Sequence, residues 1–131
     1  MGINTTCIID DDPIFVFGSK ILLRNNSFAS NIVVCQNGKE ALDMIVAMLE
    51  LGEVLPEVIF LDLNMPIMDG WEFLEEFGKL PNVQNIKIFI LSSSIDSRDI
   101  EKAKQYYIVN DFIAKPLTDR KIIELLKKIE E

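Results

Sequence analysis

Short apolar runs alternate with amphipathic segments from one end of the chain to the other. Thr6–Ile9, Ile32–Cys35, Val58–Leu61, Ile88–Leu91 and Phe112–Ala114 are brief and apolar, a pattern that predicts strands. The stretches between them space their apolar residues helically, predicting helices near 13–26, 38–51, 70–79, 97–107 and 118–130. The third and fourth runs, VIFL and IFIL, are apolar at every position, as suits strands covered on both faces of a parallel sheet. Five strand–helix repeats in succession therefore predict an α/β fold: a five-stranded parallel sheet, doubly wound, with five helices on its two sides.

Local signals sharpen this frame. Asp12 before Pro13 reads as an N-cap followed by a first helical residue. Gly38 after Asn37, and the Thr118–Asp119 pair, mark two further helix starts. Met65-Pro66 and Met68-Asp69-Gly70 read as a turn into the third helix, with Gly70 supplying backbone freedom. Ala41 to Pro56 is long, and Leu49, Leu51, Val54 and Leu55 near its end predict an extended helix plus a loop that packs back. Trp71 and Phe73 read as packing residues. Of Tyr106, Tyr107 and Ile108, at least one is expected to pack inward and another to offer an exposed aromatic patch for a partner.

Ligands of open α/β sheets sit in the crevice at the carboxyl ends of the strands. The first strand ends in Asp10, Asp11 and Asp12, and the third in Asp62-Leu63-Asn64-Met65-Pro66. The fourth ends in Ser92, Ser93 and Ser94, and the fifth in Lys115-Pro116. Clustered carboxylates repel unless one takes up a proton or a cation neutralises them. Mg²⁺ suits such a site, since it prefers a few carboxylate oxygens and keeps waters that a phosphate can replace. Asp62 could then attack phosphorus as a carboxylate nucleophile. Lys115 would offset charge on the transferred group, and the Ser92 hydroxyl would donate to it.

Composition removes competing chemistries. The chain has 131 residues, 49% of them hydrophobic, enough for one packed core and hence a single domain over 1–131. Its 13 basic and 21 acidic residues give a formal net charge of -8, which argues against nucleic acid or an anionic membrane surface as a partner. A protein or a cation fits better. With no histidine, a serine–histidine triad, a histidine-ligated zinc site and a phosphohistidine in this chain are all excluded. Cys7 and Cys35 read as small buried hydrophobes. MGINTTCIID lacks the features of a signal peptide, and its loose myristoylation pattern stands too close to a strand to act as a tether. No apolar run has the length to span a bilayer, so a cytoplasmic location is expected.

The ordered motifs IIDDDP, FLDLNMPIMDGWEFL, ILSSS and DFIAKP resemble the receiver domain of two-component response regulators, of the standalone type, over essentially the whole chain. The resemblance implies a flavodoxin-like sheet in the order 2-1-3-4-5. By position it implies that Asp62 is the phosphoacceptor and that Asp10 and Asp11 are the acidic pair, with Asp11 a direct Mg²⁺ ligand. It also implies the Asn64 main-chain carbonyl as a further ligand, Ser92 at the hydroxyl position, Lys115 as the family's lysine and Phe112 as its rotating aromatic. The implied role is phosphoryl acceptance from a histidine kinase or histidine phosphotransfer protein. Such a domain assists its own phosphorylation and dephosphorylation but is not an enzyme that turns over. A switch from Ser92 to Phe112 would alter a face of helix 4, strand 5 and helix 5, and so its contact with a downstream protein. Departures are the long stretch from Gly38 to Asp62 and the Asn110-Asp111 pair before Phe112. The alternatives are a haloacid-dehalogenase-like phosphatase, whose nucleophile follows the first strand, and a flavodoxin-like cofactor binder, which needs a glycine- and hydroxyl-rich loop where this chain has aspartates.

Overall fold

The computed structural model describes residues 2–93 and 96–130. Ser94, expected among the loop hydroxyls, lies outside them. The elements are β1 (Ile3–Ile9), α1 (Pro13–Asn25), β2 (Ala29–Cys35), α2 (Gly38–Leu51), β3 (Val58–Asp62), α3 (Gly70–Phe77), β4 (Lys87–Ser92), α4 (Ser97–Ala103), β5 (Val109–Ala114) and α5 (Asp119–Glu130). The strands form one parallel sheet in the order β2-β1-β3-β4-β5. Both the fold class and the strand order are those expected.

Period-two alternation divides the central strands between two cores. Ile59, Leu61, Ile88 and Ile90 join Ile45, Phe73 and Phe77 on the side of α2 and α3. Val58, Phe60, Phe89 and Leu91 join Val16, Leu23, Ile122 and Leu125 on the side of α1 and α5. With both faces covered, β3 is buried along its whole length. Cys7 and Cys35 are free thiols, 0% and 2% exposed, and fill core volume.

Several boundaries differ from expectation. β1, β2 and β5 begin earlier than their apolar runs, because strand pairing is a backbone property and extends through polar positions such as Thr5↔Asn31. At β5 the Asn110 side chain accepts from the Ile88 N–H at 3.0 Å, where the β4–β5 register shifts. α4 ends at Ala103 rather than near 107. Its chain tightens into three-residue turns, Gln105 N–H to Lys102 O and Tyr106 N–H to Ala103 O, and Val109 then opens β5. α2 ends on Gly52, whose left-handed φ of 69° suits glycine. Beyond it Leu55 packs on the core, but Leu51 and Val54 are exposed, so only part of this connection folds back.

Helix starts follow the sequence signals. The Asp12 carboxylate accepts from the Ile14 and Phe15 N–H groups, with Pro13 opening α1. Asp69 and Glu72 form a capping box on α3. Gly70 has a different reason from the one expected. Its φ is not positive; a Cβ there would stand 2.6 Å from the Asp62 carbonyl oxygen and 2.9 Å from the Leu63 Cα. The residue lets α3 begin directly against the end of β3.

Candidate functional site

Parallel strands bring their carboxyl ends to one rim, and the chain turns there into its helices. Asp10 follows β1 and is 2% exposed; its N–H donates to the Cys35 carbonyl at 3.0 Å. Its Oδ1 accepts from the Asp12 N–H at 2.9 Å and its Oδ2 from the Lys115 ammonium at 2.8 Å. Asp62 closes β3, is 8% exposed and has Oδ1 3.5 Å from Lys115 Nζ. Asp11 is exposed at the mouth. Asp10, Asp11 and Asp62 each bring a carboxylate oxygen within 4.8 Å of the others. Asp12 turns to its capping role.

The electrostatics follow from that crowding. Burial, followed by the negative charge of Asp10, pushes the Asp62 carboxyl up, while Lys115 acts in the opposite direction. For Lys115, burial works against the charge, but the bond to Asp10 and the charges of Asp10 and Asp62 raise its pKa overall. The sign for stability is then fixed. A carboxyl whose folded pKa is raised binds more protons folded than unfolded, so its contribution falls as pH rises from the ordinary carboxylate range through the folded value. In chelator-treated protein, Asp62→Asn is therefore expected to be more stable than wild type at neutral pH, on the order of 1 kcal/mol. The difference should vanish below the ordinary carboxylate range. Denaturant midpoints against pH check this, and a less stable variant at pH 7 contradicts it.

Ser92 ends β4, 3% exposed, and is paired in register with Ala114 of β5; its carbonyl accepts from the Lys115 N–H at 2.8 Å. Ser93 is exposed. Phe112 pairs with Ile90, so it shares a sheet face with Ser92 two positions along. It is half-buried against the core and lines a cavity of about 230 Å³ between α4 and β5. Asn64 is exposed at the start of the β3–α3 loop, whose tip is Ile67, 80% exposed with a φ of 69°. The Lys115–Pro116 peptide is cis. Tyr106 stacks on Trp71 with ring centroids 5.8 Å apart and its hydroxyl donates to Glu75 at 3.1 Å, whereas Tyr107 is 82% exposed. Ile108 is buried as well, so the expected inward packing and exposed aromatic are both present.

Two features escaped the sequence reading. The Phe15 ring lies 4.1 Å from Lys115 Nζ, a cation–π contact that steadies the ammonium. In addition Ile14 and Phe17 are exposed on α1, 83% and 69%. Phe17 lines a groove of about 370 Å³ that begins at Asp10 and Asp11 and ends near Lys20.

Among the described residues, no helix is long and apolar enough to cross a membrane. The solved structure of a two-component response regulator from Cytophaga hutchinsonii superposes with a TM-score of 0.89 at 30% identity, covering 99% of this chain and 98% of that one. The probable methanogenesis regulatory protein FilR2 of Methanothrix harundinacea is 29% identical over 104 residues, 79% of this chain and 66% of that protein. An uncharacterized transcriptional regulatory protein, YesN of Bacillus subtilis, is 28% identical over 93% of this chain and 31% of its own length. The chain thus spans less than two thirds of these curated relatives. None of these matches supports the phosphatase alternative. The sequence model of the response regulator receiver domain matches residues 6–127, the stretch that builds the sheet and holds every acid of the rim, and the chain belongs to that family.

Proposed function

We propose that the carboxylate of Asp62 accepts a phosphoryl group from a histidine kinase or histidine phosphotransfer protein, and that acceptance switches a protein-binding face. Receiver domains are signalling modules rather than classical enzymes. The observation that carries the reading is a nearly buried Asp62 carboxylate that shares a 4.8 Å cluster with Asp10 and Asp11 and faces a lysine at 3.5 Å. The cluster offers only hard carboxylate oxygens, which fits Mg²⁺. Asp11, Asp62 and the Asn64 carbonyl would hold it, with Asp10 acting through water, and it would neutralise charge on the transferred oxygens.

The residues of the chain supply the remaining chemistry. An Asp62 oxygen forms the new O–P bond as the donor's P–N bond breaks and the imidazole leaves with that electron pair. Lys115, already directed at Asp10 and Asp62, donates to a phosphoryl oxygen. Ser92 lies on the neighbouring strand and donates to another. The donor arrives over the open side of the rim, where Ile14, Phe17 and Ile67 are exposed. An apolar surface continuous with a charged pocket suits a helical protein that presents a phosphohistidine. These events belong to the cytoplasm, in one receiver unit.

Incubation with a small phosphodonor and Mg²⁺ tests the reading by intact mass. One phosphoryl group should be added, and none in Asp62→Asn or in Asp11→Ala, whose fold should persist. An unchanged mass in the wild type overturns the proposal.

The readout runs from Asp62 through Ser92 to Phe112 and out to the face of α4, β5 and α5. Ser92 moving toward the phosphoryl group leaves space on the face that Phe112 shares, and the half-buried ring can fill it. The change is a shift between two existing states, bounded by how differently the phosphoryl group binds them. Backbone NMR with a phosphoryl mimic at Asp62 is expected to move Phe112 and α4 signals as well as the pocket. Shifts confined to the pocket would refute the route.

A further inference from the structure

Lys121 is the third residue of α5, a position where a cation is unfavourable. The first turn of a helix carries partial positive charge and prefers acids such as Asp119. The Lys121 side chain accordingly does not extend away from the domain. It folds back across the helix start, and its ammonium donates to the main-chain oxygen of Ala114 at 2.7 Å and to that of Pro116 at 3.0 Å. Those two carbonyls belong to the residues on either side of Lys115. The Lys121 N–H also donates to Thr118 Oγ1 at 3.2 Å, so one residue grips the β5–α5 connection at three points.

The grip has a mechanical meaning. Lys115 reaches Asp10 and Asp62 through a flexible four-carbon stem, and the placement of its ammonium depends on where its own backbone is held. The Lys115 N–H is tied to Ser92 of β4 at 2.8 Å. β5 is the edge strand of the sheet, and among the described residues no strand pairs with its outer side. There the carbonyls that flank Lys115 are tied by Lys121, through charge-assisted bonds stronger than ordinary ones. Among the described residues Lys121 makes no ion pair with Asp10, Asp11 or Asp62, its ammonium bonding to main-chain oxygens instead.

We propose that Lys121 is a positioning residue. By clamping the carbonyls on both sides of Lys115 it fixes the stance of that ammonium against Asp10 and Asp62. The kinetic consequence rests on the reading of Asp62 as phosphoacceptor; the placement of Lys115 does not.

Two readouts separate these levels. The first is the NMR signal of the Lys115 ε-methylene, recorded with neither metal nor phosphodonor. Lys121→Met should move it toward the position of a free, averaging lysine, while Lys121→Arg, which keeps charge and donors, should hold it near the wild-type position. If methionine prevents folding, Lys121→Gln takes its place. An unchanged Lys115 signal in the neutral variant overturns the proposal, whatever happens to phosphorylation. The second is the rate of phosphorylation by a small phosphodonor with Mg²⁺. Lys121→Met should slow it about 10- to 100-fold, the scale of a small misplacement of a reacting group. In a Lys115→Met background the same change should cost almost nothing, because its effect passes through Lys115. Equal losses in both backgrounds would show that Lys121 acts elsewhere. A wild-type protein that accepts no phosphoryl group would remove the functional reading but leave the Lys115 signal to decide the positioning.

Discussion

Lys115→Met is expected to lower phosphorylation of the chain by a small phosphodonor about 100- to 1,000-fold, the range for removing one preorganised charge-stabilising donor. Among the described residues Lys115 is the cation that bridges both Asp10, at 2.8 Å, and Asp62, at 3.5 Å. Methionine keeps an apolar side chain of similar length but loses the ammonium that lies over the Phe15 ring, and it leaves the rim acids facing one another. Two losses follow. The transferred group meets no ammonium, and the folded state carries uncompensated charge, at a cost of about 1–3 kcal/mol for a partly wet pair. Added Mg²⁺ should therefore raise the denaturation midpoint of the variant more than that of the wild type, while failing to restore the rate. Stopped-time intact-mass measurements give the rate and denaturant titrations the midpoint. A rate within a few-fold of wild type would remove Lys115 from the chemistry.

The second large effect concerns the donor. Phe17→Ser on the exposed side of α1 should reduce phosphoryl transfer from the cognate kinase or phosphotransfer protein about 10- to 100-fold, as expected for an aromatic anchor at an interface. The small phosphodonor should react at the wild-type rate, because it uses the acids and Lys115 without covering α1. Phe17 is 69% exposed and lines the groove that begins at Asp10 and Asp11, so its loss should register in the apparent affinity for the donor. Equal losses with protein and small-molecule donors would instead mean that serine at this position disturbs the pocket, and that the donor docks elsewhere.

The residues that carried the reading of the fold are those whose role depends on burial. Val58 to Leu61 and Ile88 to Leu91 are apolar because both faces of their strands are covered, so their state is written in composition. Ile3 to Thr5 and Ala29 to Asn31 are also strand, but their pairing is made by backbone groups and left little trace in the side chains. The end of α4 was hidden for a related reason. Residues 104–107 keep helical composition, yet three-residue turns and the start of β5 claim their backbone. In the site, the acids and Lys115 could be located because strand ends converge whatever their side chains. Phe15 beneath Lys115 and Lys121 behind it depend on side-chain direction, which spacing alone does not specify. Gly70 illustrates the limit: a glycine in a turn suggests a special φ, but here the requirement is the nearness of the Asp62 carbonyl.

The packing of Trp71 has an experimental consequence of its own. It is the one tryptophan of the chain, and it follows directly on Gly70, the residue seated against the end of β3. Tyr106 stacks on its ring, and the Lys102 ammonium lies 4.5 Å from the ring centre. Lys102 belongs to α4 and Tyr106 to the turn that follows it, whereas the indole belongs to α3. A sliding of α4 past α3 thus changes both the charge above the indole and its stacking partner. The protein carries its own fluorophore at the contact that the proposed displacement of α4 would change, and that displacement can be followed by ultraviolet emission, in real time, without a label.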